Sequence, residues 1–120
     1  MKYIISLILL LGAISCTEFL SPQVTENLLE INSPADSLTT NQELITFWWE
    51  EDKDAEAYRL QVISPDFNNP QYVFDTLLLS TQLQKSFPDN TYSWRIRIEN
   101  EGSMSAWQER SFTVDSTYME

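Results

Sequence analysis

Residues 91–100 read Thr-Tyr-Ser-Trp-Arg-Ile-Arg-Ile-Glu-Asn, and apolar and polar side chains alternate along them without a break. The apolar members are Tyr92, Trp94, Ile96 and Ile98, and the polar members between them are Ser93, Arg95, Arg97 and Glu99. Because successive side chains of a β-strand point to opposite faces, this spacing predicts a strand with one buried and one exposed face. The stretch therefore indicates a sheet that covers a core on one side only.

The same period of two recurs along the chain from residue 28. It predicts seven strands, at residues 28–31, 43–49, 58–64, 72–76, 81–87, 91–100 and 108–114. Turn residues separate them at intervals of roughly ten, as in an all-β protein. The pattern predicts a seven-stranded antiparallel β-sandwich. Lys85 falls between Leu83 and Phe87 on one face, which indicates either a β-bulge or a lysine whose stem lies along apolar surface.

The first sixteen residues have the layout of a bacterial export leader. Lys2 gives a positive start, residues 3–14 are mainly apolar, and Cys16 is the single cysteine of the chain. The apolar run is too short for a bilayer core, which needs about 20 residues. We therefore expect residues 1–15 to be a signal peptide that is cleaved.

Ala13-Ile14-Ser15-Cys16 resembles the lipobox of bacterial lipoproteins. In that family the cysteine sulfur carries a diacylglyceryl group, so the resemblance implies that Cys16 is lipidated and anchors the chain to the outer membrane. Ala13 stands where the family favours Leu. The alternative is an ordinary secretory leader that leaves Cys16 as a free thiol. We interpret residues 16–27 as the lipidated N-terminus and tether. Whether the protein faces the periplasm or the cell surface stays open.

The charge balance describes an acidic domain. Cleavage before Cys16 removes Lys2 and no acid, so six basic side chains face 18 acidic ones and the mature net charge is −12. Nucleic-acid binding requires clustered Lys and Arg, and this balance argues against it. The length after the leader suits a single domain. We place it at residues 28–115, followed by a C-terminal tail at 116–120.

Four segments together resemble fibronectin type III and immunoglobulin-like domains. They read Phe-Trp-Trp-Glu at 47–50, Ala-Tyr-Arg-Leu-Gln-Val at 57–62, Thr-Tyr-Ser-Trp-Arg-Ile-Arg at 91–97, and Ser-Ala-Trp at 105–107 before Ser-Phe-Thr-Val at 111–114. The resemblance implies that Trp49 fills the core and that Tyr92 forms a tyrosine corner. The predicted core consists of Phe47, Trp49, Tyr58, Leu60, Tyr92, Trp94, Ile96 and Phe112.

The sequence offers little for catalysis or cofactor chemistry. It contains no histidine, and no serine has a plausible base beside it, so we predict no catalytic residues and no cofactor. The acidic run Glu50-Glu51-Asp52-Lys53-Asp54 supplies oxygen atoms of the kind that calcium binds. Its spacing fits no calcium-loop motif, and Lys53 interrupts it. We favour a solvated turn and predict no metal.

Two surface features are candidates for partner binding. Arg59, Arg95 and Arg97 share the outward face of two predicted strands, where they either pair with Glu56, Glu99 or Glu109 or form a docking face for an acidic partner. Trp48 occupies an outward-facing position of its predicted strand, and an exposed indole can bind either a sugar or another protein.

These observations predict a lipid-anchored, non-catalytic binding or adaptor module of the bacterial cell envelope, which docks to a neighbouring envelope protein or complex. The alternative is a carbohydrate-binding accessory lipoprotein that uses Trp48. A third possibility, a domain that spaces or plugs a larger assembly, stays open beside the first. In each case contact with the membrane is through the N-terminal lipid only.

Overall fold

The computed structural model describes residues 21–120, so the signal peptide predicted for residues 1–15 and the lipidation predicted at Cys16 lie outside the described residues. Nine strands occur in the described part. They are β1 (Ile31–Ser33), β2 (Leu38–Thr40), β3 (Leu44–Trp49), β4 (Tyr58–Ser64), β5 (Gln71–Leu78), β6 (Gln82–Ser86), β7 (Asn90–Asn100), β8 (Ser103–Met104) and β9 (Gln108–Val114). No helix long and apolar enough to cross a membrane occurs within residues 21–120.

The strands form two sheets that pack face to face as a sandwich. The three-stranded sheet has the order β1-β3-β6, and the larger sheet has the order β2-β9-β7-β4-β5, with β8 paired to β7. The pairings are antiparallel except that of β2 with β9, which is parallel. The predicted all-β sandwich is therefore confirmed.

The core lies between the inner faces of the two sheets and is built largely from aromatic rings. The eight residues predicted for it, Phe47, Trp49, Tyr58, Leu60, Tyr92, Trp94, Ile96 and Phe112, are all buried. The ring of Phe47 meets those of Trp94 at 5.0 Å and Phe112 at 6.0 Å between centroids, both edge-to-face. Such geometry stabilises aromatic pairs by about 0.5–1.5 kcal/mol beyond their burial. Aromatic packing thus supports a sandwich with no disulfide among its described residues.

The strands with strong alternation agree with their predicted positions. β4 and β9 have the predicted bounds, while β3 and β7 each differ by one residue at the start. Two short strands, β2 and β8, were not predicted, because two or three residues are too few to show a period. The pairing of β3 with β6 keeps a regular register through Lys85, and the Lys85 ammonium lies 4.7 Å from the centre of the Phe74 ring. This arrangement favours the apolar-stem interpretation of Lys85 over a bulge.

The first strand was predicted wrongly. β1 covers Ile31–Ser33 rather than residues 28–31, and Leu28 is 71% exposed. The backbone N–H of Leu29 donates to Oε1 of Gln108 at 2.7 Å, and its carbonyl accepts from Nε2 of Gln108 at 2.9 Å. Leu29 therefore pairs with a side chain of the opposite sheet in place of a neighbouring strand.

Residues 21–27 are the described part of the tether predicted for residues 16–27, and they contact the sandwich. Val24 is fully buried, and its backbone N–H donates to Oγ of Ser103 at 3.2 Å. The carbonyl of Pro22 accepts from Nδ2 of Asn100 at 3.0 Å. Burial of the Val24 side chain away from water is favourable, and it holds the chain from Pro22 onward against the sandwich.

Candidate functional site

The three arginines of the predicted docking face are brought together by the register of β4 and β7. Arg59 lies opposite Arg97, and Gln61 lies opposite Arg95. Arg59 pairs with Glu99 at 3.3 Å and with Asp75 at 3.4 Å, and Arg97 pairs with Glu99 at 2.9 Å. The predicted clustering is therefore present, and Glu99 on the same face bridges two of its cations.

The other acids expected around this cluster lie differently. Glu56 accepts a hydrogen bond from the backbone N–H of Glu101 at 2.7 Å. Glu109 is the strand partner of Arg95, yet Nε of Arg95 donates to Oε1 of Gln61 at 2.7 Å. The sequence did not single out Asp75 or Gln61, because the register of β4 against its neighbours decides which side chains these arginines meet.

Glu99 is held in its charged form by this arrangement. Partial burial by itself raises the pKa of the Glu99 carboxyl, but hydrogen bonds and ion pairs from Arg59 and Arg97 outweigh that effect. The pKa of Glu99 therefore lies below its usual value. The same hydrogen bond to Glu99 raises the pKa of Arg59.

Aromatic rings lie against two of the three guanidinium groups on this face. The guanidinium carbons of Arg95 and Arg97 each lie 4.2 Å from the centre of the Trp107 ring, and that of Arg95 lies 4.3 Å from the centre of the Phe67 ring. Cation–π contacts of this kind stabilise by about 0.5–1 kcal/mol each at exposed sites. We call Arg59, Arg95, Arg97, Glu99 and Trp107 the arginine cluster. Its cations already have partners within the chain.

The acidic turn after β3 holds the N-terminal segment. Nδ2 of Asn27 donates to the carboxylate of Asp52 at 3.1 Å and to that of Asp54 at 3.3 Å. Tyr58 accepts from the backbone N–H of Asp52 at 3.1 Å, and burial is the main cause that raises the pKa of its hydroxyl. Within residues 21–120, no group of three or more His, Cys, Asp or Glu side chains is placed to hold a metal ion.

Comparison with known proteins identifies the architecture. No protein-family model and no curated protein matches the chain. The solved structure "Crystal Structure of FN3tt" is similar over 73% of this chain and 89% of its own, with 19% sequence identity and a TM-score of 0.52. "Structure of FN3tt mut" is similar over 71% of this chain and 88% of its own, with 17% identity and a TM-score of 0.50.

The chain has a fibronectin type III fold. Trp49 is fully buried, as the sequence resemblance implied. The hydroxyl of Tyr92 donates to the carbonyl of Pro88 at 2.6 Å, which is the geometry of a tyrosine corner. Both residues position the sheets, and their roles are structural.

Trp48 lies on the outward face of the three-stranded sheet, and 46% of the residue is exposed. Its strand partners are Ser33 of β1 and Gln82 of β6. The arginine cluster lies on the larger sheet, so the structure places the two predicted candidates on opposite faces of the sandwich.

The free edge of β5, which the sequence did not single out, adjoins the face that carries the arginine cluster, since Leu77 lies opposite Arg59. β5 is the last strand of the larger sheet, next to β4. Val73 is 42% exposed, Leu77 48% and Leu79, one residue beyond the strand, 84%. The register with β4 shifts at Val73, and it is regular from Phe74 to Leu78. The free edge therefore combines the outer side of a terminal strand with exposed apolar side chains.

Proposed function

We propose that this protein is a lipid-anchored, non-catalytic binding module of the bacterial cell envelope that docks to a neighbouring envelope protein through the free edge of β5. The observation that carries the proposal is the outer edge of an eight-residue strand with exposed apolar side chains at its end. An unpaired edge of this kind is a template for strand addition by another chain.

Three features of the β5 edge favour docking of a partner strand. β5 pairs with β4 in a regular register from Phe74 to Leu78, and no further strand of the described residues lies on its other side. Burial of the exposed Leu77 and Leu79 side chains against a partner would stabilise the complex by about 25 cal/mol per Å² of apolar surface. Asp75 is engaged by Arg59, which reduces the repulsion that a partner strand would meet.

The arginine cluster supports docking less well than this edge does. An acidic partner would have to displace Glu99 from two guanidinium groups and compete with the ring of Trp107. These ion pairs are partly buried, and displacing Glu99 from them would leave its carboxylate without these partners, so exchanging one carboxylate for another yields little net affinity. We therefore assign the arginine cluster to stability and the β5 edge to binding.

The lipid anchor limits where the partner lies. Five residues lie between Cys16 and Pro22, and the carbonyl of Pro22 accepts a hydrogen bond from Asn100 of the domain. A fully extended chain spans at most about 3.5 Å per residue, so the anchored cysteine stays within roughly 20 Å of the sandwich. We infer that the docking partner is a membrane protein or lies close to the membrane surface.

Site-specific photo-crosslinking in the native membrane tests the docking proposal. A photoreactive residue placed at Leu77 is expected to capture one defined envelope protein, and the same residue at Met104 serves as the matched control because Met104 is also exposed and apolar. Leu77→Lys is expected to abolish co-purification after gentle detergent extraction, whereas Met104→Lys leaves it unchanged. Equal capture from both positions, or a partnerless monomer, would contradict the proposal.

The anchor has a separate test. Cys16→Ala removes the sulfur that would carry the lipid, and we expect the protein to move from the membrane fraction to the soluble fraction. Cys16→Ser is a second variant with nearly the same size. Membrane association that persists in both variants would overturn the lipoprotein assignment and leave the docking edge to be judged by its own experiment.

A further inference from the structure

The outward face of the three-stranded sheet contains no formally charged side chain within its strands. Its members are Ser33 of β1, Leu44, Thr46 and Trp48 of β3, and Gln82, Gln84 and Ser86 of β6. Glu50 follows the end of β3 and borders the face. We call the seven strand residues, without Glu50, the neutral face. Its lack of charge contrasts with a mature net charge of −12.

The register arranges the neutral face in rows. Trp48 lies between Ser33 and Gln82, and Thr46 lies beside Gln84. Nε2 of Gln84 donates to Oγ1 of Thr46 at 2.9 Å, so this amide is held across the sheet. The exposed indole thus stands within one strand spacing of amide and hydroxyl groups.

Trp48 differs from the other three tryptophans, all of which lie in the described part of the chain. Trp49 and Trp94 are fully buried in the core, and Trp107 lies against the guanidinium groups of Arg95 and Arg97. Trp48 is 46% exposed. Its aromatic surface is consequently accessible for contact with a ligand.

We propose that the neutral face binds a neutral polysaccharide, with Trp48 as the stacking platform. The apolar C–H face of a sugar ring packs against an indole, and Gln and Ser side chains offer both donors and acceptors to sugar hydroxyls. Uncharged polar groups are far less costly to remove from water than ions. An anionic polysaccharide would meet the repulsion of the acidic domain, which selects for an uncharged one.

The size of the neutral face favours a glycan over a second copy of the chain. From Leu44 to Trp48 the face is about 14 Å long, and three strands make it about 10 Å wide, which gives roughly 140 Å². Stable protein interfaces bury about 800 Å² on each partner. A face of this size accommodates a few sugar rings. The inference concerns a different surface from the β5 edge and stands independently of it.

The test uses the full mature chain in detergent and neutral oligosaccharides, namely hexamers of the cello, xylo, manno and malto series, with an oligogalacturonate as the anionic probe. We expect at least one neutral hexamer to bind and to shift the tryptophan fluorescence to shorter wavelength, and the oligogalacturonate not to bind. Trp48→Ala is expected to weaken binding about tenfold or more. Gln84→Ala should weaken it less.

Two variants serve as controls. Tyr118→Ala removes an exposed aromatic ring that is not part of the neutral face and should leave the affinity unchanged. Leu77→Lys should keep glycan binding while it loses protein capture, so the two proposals fail separately. The inference is overturned if no neutral hexamer binds, if Trp48→Ala binds as well as the wild type, or if the anionic probe binds equally. A concentration-dependent fluorescence shift without sugar would assign the neutral face to a second copy and also overturn it.

Discussion

Glu99 accepts hydrogen bonds from Arg59 and Arg97 in a partly buried position, so its charge is coupled to the folded state. A carboxyl whose pKa is lower when folded than when unfolded stabilises the fold above the unfolded pKa, which is about 4.3 for Glu. This contribution is lost as pH falls through the folded pKa. The arginine cluster should therefore make stability sensitive to acid.

Thermal unfolding measured across the range from neutral to acidic pH tests this coupling. Because the pKa of Glu99 is lowered in the folded state, we expect Glu99→Gln to be less stable than the wild type at pH 7. The difference should shrink as pH falls below about 4. Glu26→Gln, which changes an exposed side chain, should follow the wild-type curve. A constant difference at all pH values would contradict the role of the Glu99 charge.

The alternation of side chains along each strand predicted that Arg59, Arg95 and Arg97 share a face, and the register of β4 with β7 confirms it. Alternation could not predict that the ring of Trp107 contacts both Arg95 and Arg97. Trp107 precedes β9 in a connection with no period. The direction of its side chain is therefore set by how that connection crosses the sheet.

At the scale of elements, strands with long alternating runs were predictable and short ones were not. β7 has eleven residues, and its buried face is evident from the sequence. β1 has three residues, and its position depends on Gln108 of β9, which bonds both backbone groups of Leu29. That contact joins residues 79 positions apart, so no local pattern reveals it.

Gln108→Leu tests the link between β9 and the segment before β1. The change keeps much of the side-chain volume and leaves the N–H and carbonyl of Leu29 without their partner. We expect the free energy of unfolding to fall by about 1–3 kcal/mol, because unsatisfied polar groups are costly in a partly buried site. Urea denaturation measures this loss, and faster hydrogen exchange of the Leu29 amide would locate it.

Gln42→Leu is the matched control, since the side-chain amide of Gln42 donates to the exposed side chain of Asn41. It should change stability by less than about 0.5 kcal/mol. Equal losses in the two variants would show that the Gln108 amide has no special role.

For the whole molecule, the domain begins earlier than its strands do. Val24 is buried in the core, and the Pro22 carbonyl bonds Asn100 and Ser103 near the β7–β8 hairpin. The segment therefore closes one end of the sandwich. It also shortens the distance between the domain and the anchor proposed at Cys16.

Truncation tests this extension of the domain. A chain that begins at Leu28 loses Val24, whose burial stabilises by about 1.5–3 kcal/mol, together with the Pro22 hydrogen bonds. For a domain of this size we expect the Tm to fall by at least about 6 °C relative to a chain that begins at Ser21. Val24→Ser in the longer chain should reproduce part of the loss. Identical melting of the two chains would restore the interpretation of residues 21–27 as tether.

The sequence by itself determined the class of fold, the aromatic residues of the core, and which side chains of the longer strands face inward. Alternation is a local property of an extended chain, so it can be read from neighbouring residues. It also predicted Trp48 on an outward face. Only the tertiary structure decided that the arginine cluster is paired within the chain, that the neutral face lies opposite it, and that β5 has a free edge. These features depend on which strands become neighbours, and strand order follows from contacts between residues far apart along the chain.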